Sequence, residues 1–186
     1  MRHLLLRILN RNAGSKRSKA EEILKHLDLA KGMSVVDLGA GGGYFTMELG
    51  RRVGPTGKVY AVDVKLMILD FIRDQAARAG LHNVVPVLVR SDDFPLPENG
   101  IDLIFLRNVY HHLPRPVAYF QKLRPVLRKN GRVAVIDYKK GVNWISLLGH
   151  SVNEEQLIQN MKMAGYRLME SLDFLPLQSF HVFQAG

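Results

Sequence analysis

The chain has 186 residues, 47% of them hydrophobic, and 26 Lys and Arg against 17 Asp and Glu give a formal net charge of +9. That length and apolar content suit one domain with one well-buried core. With no cysteine, disulfides, thiolate zinc sites, iron–sulfur clusters and cysteine nucleophiles are all excluded.

Residues 1–19 interleave Leu4, Leu5, Leu6, Ile8 and Leu9 with Arg2, Arg7, Arg11, Lys16, Arg17 and Lys19. The stretch is too short and too interrupted by arginine for a secretory signal, and no run approaches membrane-spanning length, so the cytoplasm is the expected compartment. Three readings stand side by side: a helix that packs its leucines on the domain and partly covers the mouth of a site, a basic amphipathic anchor on anionic membrane, and an arm that grips phosphates. No nucleic-acid module accompanies the charge. Ser18 with Glu21 reads as a capping box for a helix through about Leu29.

Val35-Val36-Asp37-Leu38 then leads into Gly39-Ala40-Gly41-Gly42-Gly43, an apolar strand ending in a tight turn, with Tyr44 to Arg52 as the following helix. Glycine at 39, 41 and 43 lets the backbone take positive φ and lets a ligand approach without meeting a Cβ. A dinucleotide fingerprint counted from Gly39 requires glycine at position 44, where this chain has Tyr44. Lys58 to Asp63 reads as a second strand ending in an acid. A carboxylate there can accept both hydroxyls of a ribose, or it can cap the helix expected from Lys65 to Ala79. Val84 to Val89 is the third strand, weakened by Pro86, and Ser91 to Pro97 forms an acidic loop stiffened by Pro95 and Pro97.

Gly100 to Arg107 reads as a fourth strand running into a polar corner, Asn108 to Leu113, that contains His111 and His112. A basic helix from Arg115 to Lys129 precedes a fifth strand, Gly131 to Tyr138. Ser151 with Glu154 suggests a capping box for a helix closing near Gly165. Tyr166 to Leu172 and Ser179 to Gln184 are the last two strands. This alternation calls for a parallel sheet with helices on both faces. Residues 107–140 hold nine Lys and Arg against one acid, Asp137. Arg107, Lys139 and Lys140 fall at the carboxyl edge where open α/β sheets bind ligands, so they are either ordinary surface charge or a positive mouth for an anionic substrate.

The acid-x-G-x-G-x-G turn from Asp37 to Gly43, the acid Asp63, the acidic loop and the Ile101-Asp102-Leu103-Ile104 strand with its histidine corner occur in order across residues 33–138. Together they resemble the class I S-adenosylmethionine-dependent methyltransferases. The resemblance implies an α/β, doubly wound, Rossmann-like sheet of seven strands, mostly parallel with an antiparallel C-terminal strand. It also divides the chain into a basic segment, 1–31, over the cofactor mouth and a methyltransferase domain, 32–186. S-adenosyl-L-methionine is the implied cofactor. By the same resemblance its contacts fall on Asp37, Gly39, Ala40, Gly41, Gly43 and Tyr44, on Asp63 and Val64, on Asp92, Asp93 and Phe94, and on Arg107 and Asn108.

Methyl transfer from a sulfonium is a direct displacement, so positioning is the main task, worth roughly 7–11 kcal/mol in favourable cases. A general base helps only where the acceptor must lose a proton. His111, His112, Tyr138 and His150 are the candidates, and the sequence does not choose among them. Trp144, in the loop Gly141 to Gly149, is a candidate lid. Arg107-Asn108-Val109-Tyr110 stands where enzymes that methylate DNA amines carry D/N-P-P-Y/F. It also offers no carboxylate for a catechol-type metal, so no metal is expected. With no large inserted domain the acceptor is a small molecule. The alternative reading is a module that keeps the cofactor pocket and grips RNA or an acidic protein through its basic surfaces.

Overall fold

The computed structural model describes residues 4–90, 93–141 and 151–186. Seven strands follow the order β3-β2-β1-β4-β5-β7-β6, the doubly wound arrangement expected. The chain divides into two compact units, residues 1–95 and 96–186.

In the first unit β1 (Ser34–Leu38), β2 (Lys58–Asp63) and β3 (Val84–Leu88) are parallel, with Asp37 opposite Ala61 and Asp63 opposite Leu88. Val35, Val36, Val59 and Ala61 are fully buried, as parallel strands covered on both faces require. Pro86 keeps its place in β3 because β3 is an edge strand, and an edge strand donates on one side only. Helix α3 (Tyr44–Val53) packs on β1 and β2, and α4 (Leu66–Arg78) on β2 and β3.

Before this sheet come α1 (Leu4–Ala13) and α2 (Ala20–His26). The expected Ser18–Glu21 capping box does not form. The Ser18 hydroxyl donates backwards to the carbonyls of Ala13 and Ser15, and left-handed Lys19 occupies the cap position. A second left-handed residue, Asp28, follows α2, which ends at His26 instead of near Leu29.

The second unit contains parallel β4 (Ile101–Arg107) and β5 (Leu127–Tyr138), then β7 (Gln178–Ala185) antiparallel to both β5 and the edge strand β6 (Tyr166–Leu172). The basic helix is shorter than expected. Helix α5 covers Pro116–Leu123, a 3-10 turn holds Arg124–Val126, and β5 already begins at Leu127. Pro125 has no N–H to continue the helix, and Arg128 reaches Asp102 with both carboxylate oxygens at 2.8 Å. Asn153, not Ser151, caps α6 (Glu154–Met163), its side chain accepting from the Gln156 N–H at 3.0 Å.

The cores differ in kind. Phe105, Phe120, Phe180 and Phe183 are fully buried in the second unit, while the first is filled by Ile23, Leu24, Leu27, Leu49, Leu69 and Ile72. Among the described residues no helix is long and apolar enough to cross a membrane.

Candidate functional site

The turn after β1 is made by three left-handed glycines, Gly39 (φ 72°), Gly41 (φ 52°) and Gly43 (φ 82°). The N–H groups of Gly39 and Ala40 both donate to the Val62 carbonyl, at 2.8 and 3.1 Å, and this curls the turn over the end of β2. Asp63 is buried at that end. One of its carboxylate oxygens accepts the Gly41 N–H at 3.2 Å and the other the Lys65 N–H at 3.1 Å. The cap position of α4 is held by Lys65, so Asp63 braces the glycine turn instead of starting that helix.

Two amides fasten the turn from outside. Asn10 of α1 accepts the Tyr44 N–H at 3.1 Å and donates to Gln75 at 3.1 Å, and Gln75 donates to the Gly42 carbonyl at 3.0 Å. A Cβ at Gly42 would come within 2.8 Å of the Leu6 carbonyl, and one at Gly43 within 2.8 Å of Ile72 Cγ1. Gly41 differs: a Cβ there meets nothing nearer than the Gly39 carbonyl at 3.8 Å. Packing therefore does not demand a bare backbone at Gly41.

Asp37, at the end of β1, is buried and accepts the Thr46 hydroxyl at 2.5 Å. Burial pushes its carboxyl up to about 6; the Thr46 bond opposes the rise and the nearby charge of Asp63 adds to it. Two acids beside one glycine turn make this corner electronegative, which favours a cationic ligand. Each oxygen of Asp63 has accepted one N–H and retains a lone pair. These residues fit a sulfonium nucleoside: acceptors for a ribose diol, a bare turn, and negative charge for the cationic end.

The second unit gathers a different set. Arg107 donates to Gln178 at 2.7 Å, Gln178 donates to Asn108, and left-handed Asn108 (φ 58°) donates its N–H to Ile136 at 2.8 Å. Asp137, fully buried at the end of β5, accepts the His111 N–H at 3.1 Å, His111 Nδ1 at 2.8 Å and the Tyr138 N–H at 2.8 Å. An ionised carboxylate only accepts, so Nδ1 carries a proton and donates it to Asp137, which fixes the orientation of the ring. The ring of His112 lies 4.0 Å from that of His111, and His112 is exposed. Lys139 is ion-paired with Asp173 at 2.5 Å and holds that carboxyl below its usual range. The charge of Lys139 is thus offset by Asp173, while Arg107 is bonded to a neutral amide and keeps its full charge.

Of the sequence-derived residues, Asp37, Gly39, Ala40, Gly41, Gly43, Tyr44 and Asp63 gather around one turn. Val64 is 68% exposed. Asp93 is exposed and bridged to Arg90, and Phe94 is half-buried. Asp92, Trp144 and His150 lie outside the described residues. Sequence reasoning missed Asn10, Thr46, Gln75, Asp137 and Gln178 as parts of these networks. Asp137 carried a signal, since it ends an apolar parallel strand just as Asp37 and Asp63 do.

A family model described as a methyltransferase domain matches residues 29–174. A ubiquinone/menaquinone biosynthesis C-methyltransferase of Hahella chejuensis is 29% identical over 113 residues, covering 60% of this chain and 45% of that protein. A demethylmenaquinone methyltransferase of Listeria monocytogenes is 26% identical over 117 residues, 63% of this chain and 49% of that one. The chain spans about half the length of the curated relatives it matches. Among solved structures, a SAM-dependent methyltransferase from Aquifex aeolicus shares the fold over 97% of both chains, with a TM-score of 0.85 at 24% identity.

Proposed function

Since the chain belongs to the methyltransferase-domain family that matches most of its length, we propose that it is a cytoplasmic S-adenosyl-L-methionine-dependent methyltransferase acting on a small acceptor. The observation that carries this reading is the brace between Asp63 and the left-handed glycine turn. When bound, S-adenosyl-L-methionine supplies an electrophilic methyl group on a sulfonium whose leaving group departs neutral.

The chain's own residues divide the remaining work. Asp63 accepts the ribose hydroxyls on its spare lone pairs. Gly39, Gly41 and Gly43 offer the amino-acid end a surface without side chains, Ala40 and Tyr44 flank it, and Asp37 gives the corner its second negative charge. Asp92, Asp93 and Phe94, after β3, serve the adenine, and Val64 flanks Asp63. Arg107 and Asn108 are held in one orientation by Gln178. Residues 1–31 act as a cover over this turn, and 32–186 form the transferase proper.

For an acceptor that loses a proton, the base we propose is His111, because Asp137 fixes the orientation of its ring through Nδ1. The Asp137 contact places His111 ahead of His112, Tyr138 and His150. The relatives' names make ring carbons of quinone precursors the first acceptor class to assay.

The test is calorimetric titration of the purified chain with S-adenosylmethionine and its demethylated product, with NADH as control. Saturable binding of the first two and none of NADH is expected, followed by transfer of a labelled methyl group into a small-molecule fraction. If neither nucleoside binds, the reading fails.

A further inference from the structure

Helix α1 has two faces of different character. Leu6 is buried in a cluster with Met47, Phe71 and Ile72, and on the same side Asn10 is tied to Tyr44 and Gln75. The opposite side presents Leu4 at 62% exposure, Leu5 at 65% and Ile8 at 39%. At 100° per residue Leu4, Ile8 and Leu5 form one stripe, and Arg7 and Arg11 run along its edge. Neither arginine is ion-paired among the described residues. The first 20 residues contain six Lys and Arg and no acid.

A second exposed apolar group, Val64, Leu66 and Met67, lies at the start of α4, the helix whose Ile68 and Ile72 share the Leu6 cluster. Each segment thus carries three large exposed apolar side chains, and those of α1 form a single stripe. Single exposed leucines need no explanation, but a concentration of them marks a contact surface.

We propose that the outer face of α1, with Leu4, Leu5 and Ile8 bordered by Arg7 and Arg11, docks on the surface of an anionic lipid bilayer. Charge complementarity selects this occupant. Uniform positive charge draws the helix to acidic headgroups, and the leucine stripe gives it apolar surface to bury at the acyl boundary. An arm that grips RNA phosphates would have no use for three outward aliphatic side chains.

The helix that meets the lipid is also the helix that fastens the glycine turn through Asn10 and Gln75. Docking therefore holds that turn about one helix diameter, ~10 Å, from the membrane surface. Its corollary is an acceptor taken from the lipid phase. That corollary rests on the methyl-transfer reading, while the docking does not.

The full chain, without cofactor, is floated with phosphatidylcholine vesicles prepared with and without phosphatidylglycerol. Co-flotation with the anionic vesicles alone, loosened by added salt, is expected. A variant combining Leu5→Glu with Ile8→Glu should partition about tenfold or more weakly, with unchanged melting temperature and unchanged S-adenosylmethionine affinity. Arg7→Gln with Arg11→Gln should lose the preference for anionic vesicles. Equal flotation of wild type and the leucine variant, no flotation with either vesicle, or retention of single-stranded RNA in place of vesicles would overturn the proposal. A wild-type chain that floats but binds no S-adenosylmethionine would sink the enzymatic reading and leave the docking standing.

Discussion

Around the glycine turn of the first unit the polar groups are backbone N–H donors met by side chains, Gly41 and Lys65 by Asp63 and Tyr44 by Asn10. At the strand ends of the second unit most of the contacts join side chain to side chain, Arg107 with Gln178, Gln178 with Asn108, His111 with Asp137, although Asp137 also accepts the His111 and Tyr138 N–H groups. A backbone-built site recognises what every member of a large family must bind, because any sequence with glycines there can make it. A side-chain network changes with each substitution, and on the proposed function it is where specificity for one acceptor would lie.

The largest expected effect breaks the second network. Asp137→Asn and His111→Gln should each lower kcat by about 10²–10⁴-fold on a proton-losing acceptor, with S-adenosylmethionine affinity unchanged. Combined, they should cost little more than either alone. Preserved kcat in both variants would leave the histidine a corner residue and nothing more.

The glycines sharpen the same contrast within the first unit. Gly43→Ala forces a left-handed alanine against Ile72 and should destabilise the fold by about 2–4 kcal/mol, read as a lower melting temperature. Gly41→Ala carries the left-handed strain of about 1–2 kcal/mol without the clash, and should instead weaken cofactor binding about tenfold. Equal melting temperatures for the two variants, or undiminished cofactor affinity in Gly41→Ala, would remove the distinction between packing glycine and binding glycine.

The smallest effects concern pH, and the units pull in opposite directions. Asp37 sits at about 6 in the folded chain against 3.8 for the ordinary group. The folded state therefore takes up its proton first, and this residue adds stability as pH falls through 6. Conversion gives about 3 kcal/mol as an upper bound. His181 in β7 is lowered by burial and by Lys139, with Glu154 opposing. The unfolded chain protonates first there, so its contribution is lost as pH falls below 6.5. Asp37→Asn should be most stabilised relative to wild type above pH 6, the advantage shrinking towards pH 4. A pH-independent difference in melting temperature would contradict the buried-charge explanation.

How much was legible follows the same division. The strands β1, β2, β3 and β4 are short, mostly apolar runs with clear stops, and the glycine–acid turn is a local pattern, so both could be read directly. Asp137 and His111 are 26 positions apart and Arg107 and Gln178 are 71 apart, so no local spacing marks these pairs. Helix ends were misread where backbone conformation overrode residue type. Ser18 was absorbed into a 3-10 turn, left-handed Lys19 took its place, and Pro125 cut the basic helix at Leu123. The sequence leaves the leucines of α1 open between packing on the domain and facing a membrane, and only the packed structure separates Leu6 from Leu4, Leu5 and Ile8.

The most direct measurement is the dissociation constant for S-adenosylmethionine of wild-type and Asp63→Ala chains, titrated side by side at neutral pH. Loss of charged hydrogen bonds to the ribose should weaken binding about a hundredfold. Equal affinity in the two chains would mean that the acid braces the turn and touches no ligand, and the donor site would have to be sought elsewhere.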